Sequence, residues 1–169
     1  MTEEEKSALF PVDRPLYLVE EQIQDLRVED FLANYFNFSR YFACCQGCPN
    51  FGKYWTCPPF NFDVEDYWRQ YRTLHAVARR YVIDPEIVQK TLSPEESNYL
   101  MEAVTVPERH RLTDYLAKME WETPGSRYLS AGTCDFCGYG KCLRLCGKEC
   151  VRGCDMHYSI ESIGGSVTE

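Results

Sequence analysis

Cys44-Cys45-Gln46-Gly47-Cys48-Pro49-Asn50-Phe51-Gly52-Lys53-Tyr54-Trp55-Thr56-Cys57-Pro58-Pro59 packs four cysteines into sixteen residues, set among Gly, Pro and Asn. That much turn chemistry predicts an irregular loop rather than a regular helix or strand, its shape set by whatever the thiols hold. A second group closes the chain: Cys134, Cys137, Cys142, Cys146, Cys150 and Cys154. All ten cysteines fall in these two groups, and none in the long segment between them. A fold that gathers both groups around metal organises everything else, and iron–sulfur is the chemistry the pattern favours.

The remaining composition is that of one globular domain. The chain has 169 residues, 12 of them tyrosine, and a formal net charge of −8. An acidic balance excludes a phosphate-backbone partner, which needs a basic face, so no nucleic acid is expected. No run approaches the roughly 18 apolar residues of a membrane span, so no membrane insertion is expected either. Residues 1–6 are acidic and lack the basic and apolar regions of an export signal. A cytoplasmic location is therefore expected, where clustered cysteines are metal ligands more often than disulfides. A disulfide-stapled secreted chain is the bland alternative.

Outward from the loop, apolar spacing predicts an α+β fold: a small sheet packed with helices, plus a Cys-rich, ferredoxin-like, metal-held C-terminal segment. Residues 1–14 form an acidic lead-in, residues 15–131 the core carrying the front loop, and residues 132–169 the metal-binding segment packed on the same domain. Leu16-Tyr17-Leu18-Val19 suggests a short buried strand. Val28, Phe31, Leu32 and Tyr35 lie on one helix face that leads to Cys44. After Pro58-Pro59, Asp63 is an N-cap for a helix bearing Val64, Tyr67, Trp68 and Tyr71, an aromatic stripe expected in the core. The alternation from Leu74 to Ile83 predicts a strand. Ser93-Pro94-Glu95-Glu96 is a capping box with Pro at the first helical position. A further helix is expected from Pro107, with Leu112, Tyr115, Leu116 and Met119 on its face. Arg127-Tyr128-Leu129-Ser130-Ala131 suggests a last short strand. Gly132 to Gly165 cannot build an apolar core and would borrow its stability from metal.

Cys134-x2-Cys137 is a local chelate that suits zinc or iron–sulfur equally. Cys142, Cys146, Cys150 and Cys154 recur every four residues, but Gly147 and Gly153 argue for loops or single turns over one long helix. In the front loop, Cys48-Pro49 and Cys57-Pro58 each place proline directly after a ligand candidate, as bacterial ferredoxin runs do. Neighbours in sequence seldom share one metal, so one of Cys44 and Cys45 is spare. Cys44, Cys48 and Cys57 then make a front set of three, and Cys134, Cys137, Cys142, Cys146, Cys150 and Cys154 supply the rear. A three-thiolate set would leave one metal position open, with Lys53, Tyr54 and Trp55 as pocket walls, whereas closed sets suit structure or electron transfer. His157 follows Cys154 at ligand spacing, although an exposed histidine in the last helix or turn is the better explanation. His75 and His110 stand alone. No nucleophile elbow, phosphate loop or dinucleotide fingerprint is present. Gly138-Tyr139-Gly140-Lys141 lacks the strand-to-helix setting of a phosphate loop.

These motifs resemble the cysteine-rich predicted metal-binding proteins of bacteria and archaea, domain of unknown function 2284. The likeness is carried by Cys44-x3-Cys48-Pro49-x-Phe51-Gly52-Lys53-x-Trp55-x-Cys57-Pro58-Pro59. It continues in Ala131-Gly132-x-Cys134-x2-Cys137, Cys150 and the closing stretch from Ser159 to Val167. This chain is the richer in cysteine, with Cys45, Cys142, Cys146 and Cys154 as additions. The resemblance implies metal and no particular reaction. Taken together, the sequence points to one or two [4Fe–4S] clusters in electron transfer or a redox step, with a redox partner protein. A zinc-held structural or interaction module is the alternative, and an enzyme with an open three-thiolate cluster is a second. The oligomeric state is not legible.

Overall fold

The computed structural model describes residues 2, 13–130, 132–134, 136–138, 140–153 and 155–166. Cys154, Ala131 and nearly all of the acidic lead-in therefore lie outside the described residues. The architecture is α+β. Its elements are β1 (Tyr17–Arg27), α1 (Val28–Asn34), α2 (Phe38–Gln46), α3 (Val64–Arg69), β2 (Thr73–Ile83), α4 (Pro85–Val88) and α5 (Pro94–Glu122), with single 3₁₀ turns at Leu143–Cys146 and Glu161–Ile163. β1 and β2 pair as a two-stranded antiparallel sheet. Two bonds set its register, Asp84 N–H to the Leu16 carbonyl and Val28 N–H to the Arg72 carbonyl, both 2.9 Å. Glu21 and Arg79 then stand opposite each other and pair at 2.8 Å. No helix among the described residues is long and apolar enough to cross a membrane.

The chain divides into two compact units, one of Met1–Gln24 with His75–Tyr115, the other of Asp25–Leu74 with Leu116–Glu169. In the first, β1 is longer and more exposed than its apolar start suggests. Leu18 and Val19 are exposed, because a two-stranded ladder has no further layer to cover both faces. The Tyr17 ring meets Tyr81 edge-on at 6.0 Å. Ser93 and Glu96 form the expected capping box: Ser93 N–H donates to the Glu96 carboxylate at 2.8 Å, and Glu96 N–H donates to the Ser93 hydroxyl at 3.2 Å. The two helices expected on either side of Pro107 are one helix. Proline's fixed φ is itself helical and its ring costs one backbone bond, which well-formed turns on both sides can carry.

Glu108, on α5, is only 2 % exposed. It accepts from the Tyr17 hydroxyl at 2.8 Å and from Arg111. The Tyr17 hydrogen bond, followed by Arg111, holds its carboxyl below the usual carboxylate range. The depressed folded value means that this stabilisation is present above the unfolded value of about 4.3 and lost as pH falls through the folded one. Glu108→Gln is expected to cost about 1–3 kcal/mol at pH 7. Urea unfolding at pH 7 and at pH 3.5 checks this, and the cost should shrink at the lower pH.

The second unit carries every described cysteine. Its core is Val28, Phe31, Val64, Trp68 and Ile163, ringed by Tyr67, Tyr71, Phe60, Phe62 and Tyr158 among others. The aromatic stripe on α3 is thus core, as its spacing predicts. Asp63 caps α3 by accepting from Asp66 N–H at 2.9 Å. The C-terminal stretch wedges into this core. Trp68 Nε1–H donates to the Ile163 carbonyl at 2.8 Å, and Asn37 N–H to the Gly164 carbonyl at 2.8 Å. Only glycine fits beside it: a Cβ on Gly164 would lie 2.8 Å from the Phe36 ring, and one on Gly165 would lie 2.7 Å from Ile160. Arg127-Tyr128-Leu129-Ser130 contributes a single parallel bridge, Ser130 to Ser159, in place of the short strand expected there.

Candidate metal centre

The front loop begins inside a helix. Asn37 caps α2 by accepting from Arg40 N–H at 3.0 Å, and Tyr41 anchors its buried face. Cys44 and Cys45 therefore sit in the last turn of α2 rather than in irregular loop. Helix propensity and the anchored face override the turn residues as far as Gly47. Beyond it the chain folds in tight turns, Cys48 N–H to the Cys45 carbonyl at 2.9 Å and Cys57 N–H to the Tyr54 carbonyl at 3.0 Å. Helical spacing separates the two neighbours: Cys44 is exposed while Cys45 is half-buried.

Three of the front thiols act on one another. Burial pushes the Cys57 thiol up to about 11, with Cys45 and Cys48 adding to the shift. Burial also raises Cys45, helped by Cys48, Cys44 and Glu161. Against this, a hydrogen bond from Thr56 and the charge of Arg144 favour the Cys57 thiolate. Thiols gathered this closely repel as thiolates unless a cation sits among them, and a bound metal would invert the shift.

In the rear group, Cys134, Cys137, Cys142 and Cys150 line one cavity. Tyr54, Trp55, Phe136 and Met156 supply its aromatic and apolar walls. Tyr54 and Trp55, pocket walls of the front thiols only in the open-site alternative, border the rear ones, and Lys53 is exposed. Cys142 precedes the turn Leu143–Cys146, which Gly147 closes at φ +66°. The expected single turn replaces a long helix. That turn carries Cys146 outward, where it is exposed and stands outside the cavity lining. No disulfide joins any two of the nine described cysteines. Two sulfurs accept backbone bonds from the residue two positions on: Asn50 N–H to Cys48 Sγ at 3.5 Å and Arg152 N–H to Cys150 Sγ at 3.4 Å. Such bonds favour the thiolate and tune a bound metal. Among the described residues, no three His, Cys, Asp or Glu side chains lie within reach of one single ion.

The groups are stitched together by Trp55 of the front motif and by Arg144 and Thr56, which no motif singles out. Arg144, on the rear turn, donates to the carbonyls of Tyr54 and Pro59 at 2.7 Å each and to that of Cys57. Its guanidinium also lies 5.0 Å from the centre of the Trp55 ring. Trp55 Nε1–H donates to the Lys148 carbonyl at 3.0 Å. Thr56 is buried, and its hydroxyl accepts from Cys134 N–H at 3.4 Å. One hydroxyl thus touches both cysteine groups. His157 is held elsewhere: its Nε2 lies 3.0 Å from Glu120, and its ring stacks on Tyr128 at 3.6 Å. Burial lowers its pKa, with Glu120 opposing.

A family model described as predicted metal-binding protein (DUF2284) matches residues 36–169. Both cysteine groups fall inside that span. No curated protein and no solved structure matches the chain.

Proposed function

Because the chain belongs to this family of predicted metal-binding proteins, we propose that it is a two-centre iron–sulfur protein working in electron transfer. The observation that carries the reading is the cavity bordered by four thiol-bearing residues, Cys134, Cys137, Cys142 and Cys150, with apolar walls. Four thiolates and no oxygen donor are the usual holders of a [4Fe–4S] cluster. Two backbone N–H···S bonds, one in each group, add to the fit. A cluster held in this way supplies one-electron chemistry and nothing more. The residues around it would bind it, exclude water and tune it: Trp55 and Phe136 by covering it, the Arg152 N–H by donating to Cys150.

The front centre would be held by Cys45, Cys48 and Cys57. Cys45 replaces the expected Cys44 in this assignment, since the thiols that bear on Cys57 are Cys45 and Cys48. A protein redox partner would complete the pathway.

Iron, zinc and acid-labile sulfide should be measured on protein purified without oxygen. About eight iron and eight sulfide per chain are expected for two [4Fe–4S] clusters. Zinc without sulfide would replace this reading with a structural module. On the same preparation, Cys45→Ser should lose about half of the iron, as one of two four-iron clusters, while Cys44→Ser keeps it. The reverse pattern would return the front assignment to Cys44.

A further inference from the structure

We propose that the mouth of the rear cavity is a docking surface for an acidic one-electron carrier protein, recognised by Lys141, Lys148 and Arg152 around the exposed apolar side chains of Phe136 and Val151. This rests on the electron-transfer reading above and states the chemistry of the partner that such a protein requires.

Charge is unevenly spread along the chain. The two cysteine stretches, residues 44–59 and 132–157, carry five Lys and Arg against three Asp and Glu, whereas the remainder carries 13 against 23. The fold brings much of that positive charge to one place. Arg152 lines the rear cavity itself, as do Phe136 and Cys137. The Lys141 side chain runs beside Gly138, another lining residue: a Cβ built there would stand 3.6 Å from Lys141 Cδ. The Lys148 carbonyl accepts from Trp55 Nε1–H at 3.0 Å, which sets Lys148 against a wall of the cavity. Val151, between the lining residues Cys150 and Arg152, is 77 % exposed, and Phe136 is 49 % exposed. Elsewhere in this unit Arg69 and Arg127 each meet a carboxylate. Lys141 and Lys148 are exposed and, among the described residues, form no ion pair. Arg152 has Asp155 at 3.5 Å, both side chains being exposed.

Apolar side chains left in water inside a margin of charge have the anatomy of a protein interface. Encounters between electron carriers bury little area, and charge complementarity supplies their on-rate more than their affinity. A positive margin selects a partner with an acidic face. It also disfavours a second copy docking through the same face, since like charges would then meet. A phosphate backbone fits less well: Glu149 and Asp155 are exposed among the basic residues, and a uniformly negative polymer would be repelled by both. Cys137, one of the four cysteines of the cavity, is itself exposed. A carrier seated there would meet the edge of the proposed cluster without crossing the fold. One electron passes per encounter, so that one centre is oxidised as the other is reduced, and no bond is made or broken.

The test uses the full chain, purified without oxygen and reduced with dithionite. Its oxidation by two small high-potential carriers is followed by stopped flow at low and at high salt: plastocyanin, which is acidic, and cytochrome c, which is basic. Wild type is compared with Lys141→Glu/Lys148→Glu and with Lys90→Glu/Lys118→Glu, a pair that changes the net charge equally outside the cysteine stretches. Oxidation by plastocyanin is expected to slow about tenfold or more from low to high salt. Reversal at Lys141 and Lys148 should slow it about tenfold or more at low salt, speed oxidation by cytochrome c, and leave iron content and reduction potential unchanged. The control pair should have a far smaller effect. A plastocyanin rate that neither salt nor the reversal changes overturns the proposal and leaves the electron-transfer reading in place. A reversal that sheds iron or shifts the potential does the same, because the lysines would then offset the charge of the cluster itself. Self-association, or binding of a single-stranded oligonucleotide, that the reversal abolishes would give the surface to a second copy or to nucleic acid instead. Zinc without acid-labile sulfide removes the electron-transfer reading, and the docking surface with it.

Discussion

Arg144→Ala is expected to strip metal from both cysteine groups and to lower the unfolding free energy by about 2–4 kcal/mol. One guanidinium holds three carbonyls of the front loop, those of Tyr54, Cys57 and Pro59, and lies over Trp55. Each charge-assisted bond is worth about 1.5–3 kcal/mol singly, but bonds sharing one donor do not add. The lower total follows. Truncation leaves those carbonyls facing a void and frees the turn Leu143–Cys146 on which Cys142 and Cys146 lie. The front and rear cysteine groups then lose their common anchor. Arg144→Lys keeps the charge but not the planar fork, and should recover less than half of the lost stability. Metal content and urea unfolding of the three proteins check this. Retention of full metal by Arg144→Ala would show that the groups form independently.

Cys150→Ser is expected to abolish the rear centre, while Cys146→Ser leaves it intact. The sequence treats Cys142, Cys146, Cys150 and Cys154 alike, since all recur at the same interval. The fold separates them. Cys142 and Cys150 border the cavity with Cys134 and Cys137, whereas Cys146 is exposed on the far end of a 3₁₀ turn. Removing one of the four proposed ligands, and with it the sulfur that accepts from Arg152 N–H, should release about half of the iron of the proposed two-cluster protein, four of eight. Because metal binding and folding of such a segment are coupled, limited proteolysis beyond residue 130 should accelerate for Cys150→Ser and not for Cys146→Ser. Equal metal loss in both variants would put Cys146 into the ligand set.

The sequence alone determined a good deal of this protein. Apolar periodicity placed α1, α3 and β2. Asp63 and the Ser93–Glu96 box marked helix starts, because caps are local events between residues three apart. Cysteine spacing separated a front group from a rear group, and the motif from Cys44 to Pro59 carried the resemblance to the family. Locality also explains the failures. Pro107 reads as a boundary in a short window, yet a helix already propagating on both sides absorbs one missing donor. Cys44 and Cys45 read as loop because their neighbours are turn residues, yet Tyr41 and the Asn37 cap carry α2 past them.

What only the tertiary structure decided is which cysteines share a cavity and what joins the two groups. Cys134, Cys137, Cys142 and Cys150 line one cavity while Cys146 is exposed outside it, and Thr56 touches both groups. Arg144 carries no motif at all. Its importance lies in three carbonyls, and every residue of a chain has a carbonyl, so no pattern of side chains can announce which ones an arginine will hold. Such contacts are fixed by the packing of the aromatic core and the glycine wedge at Gly164 and Gly165, which set the distance between segments that the sequence presents as far apart.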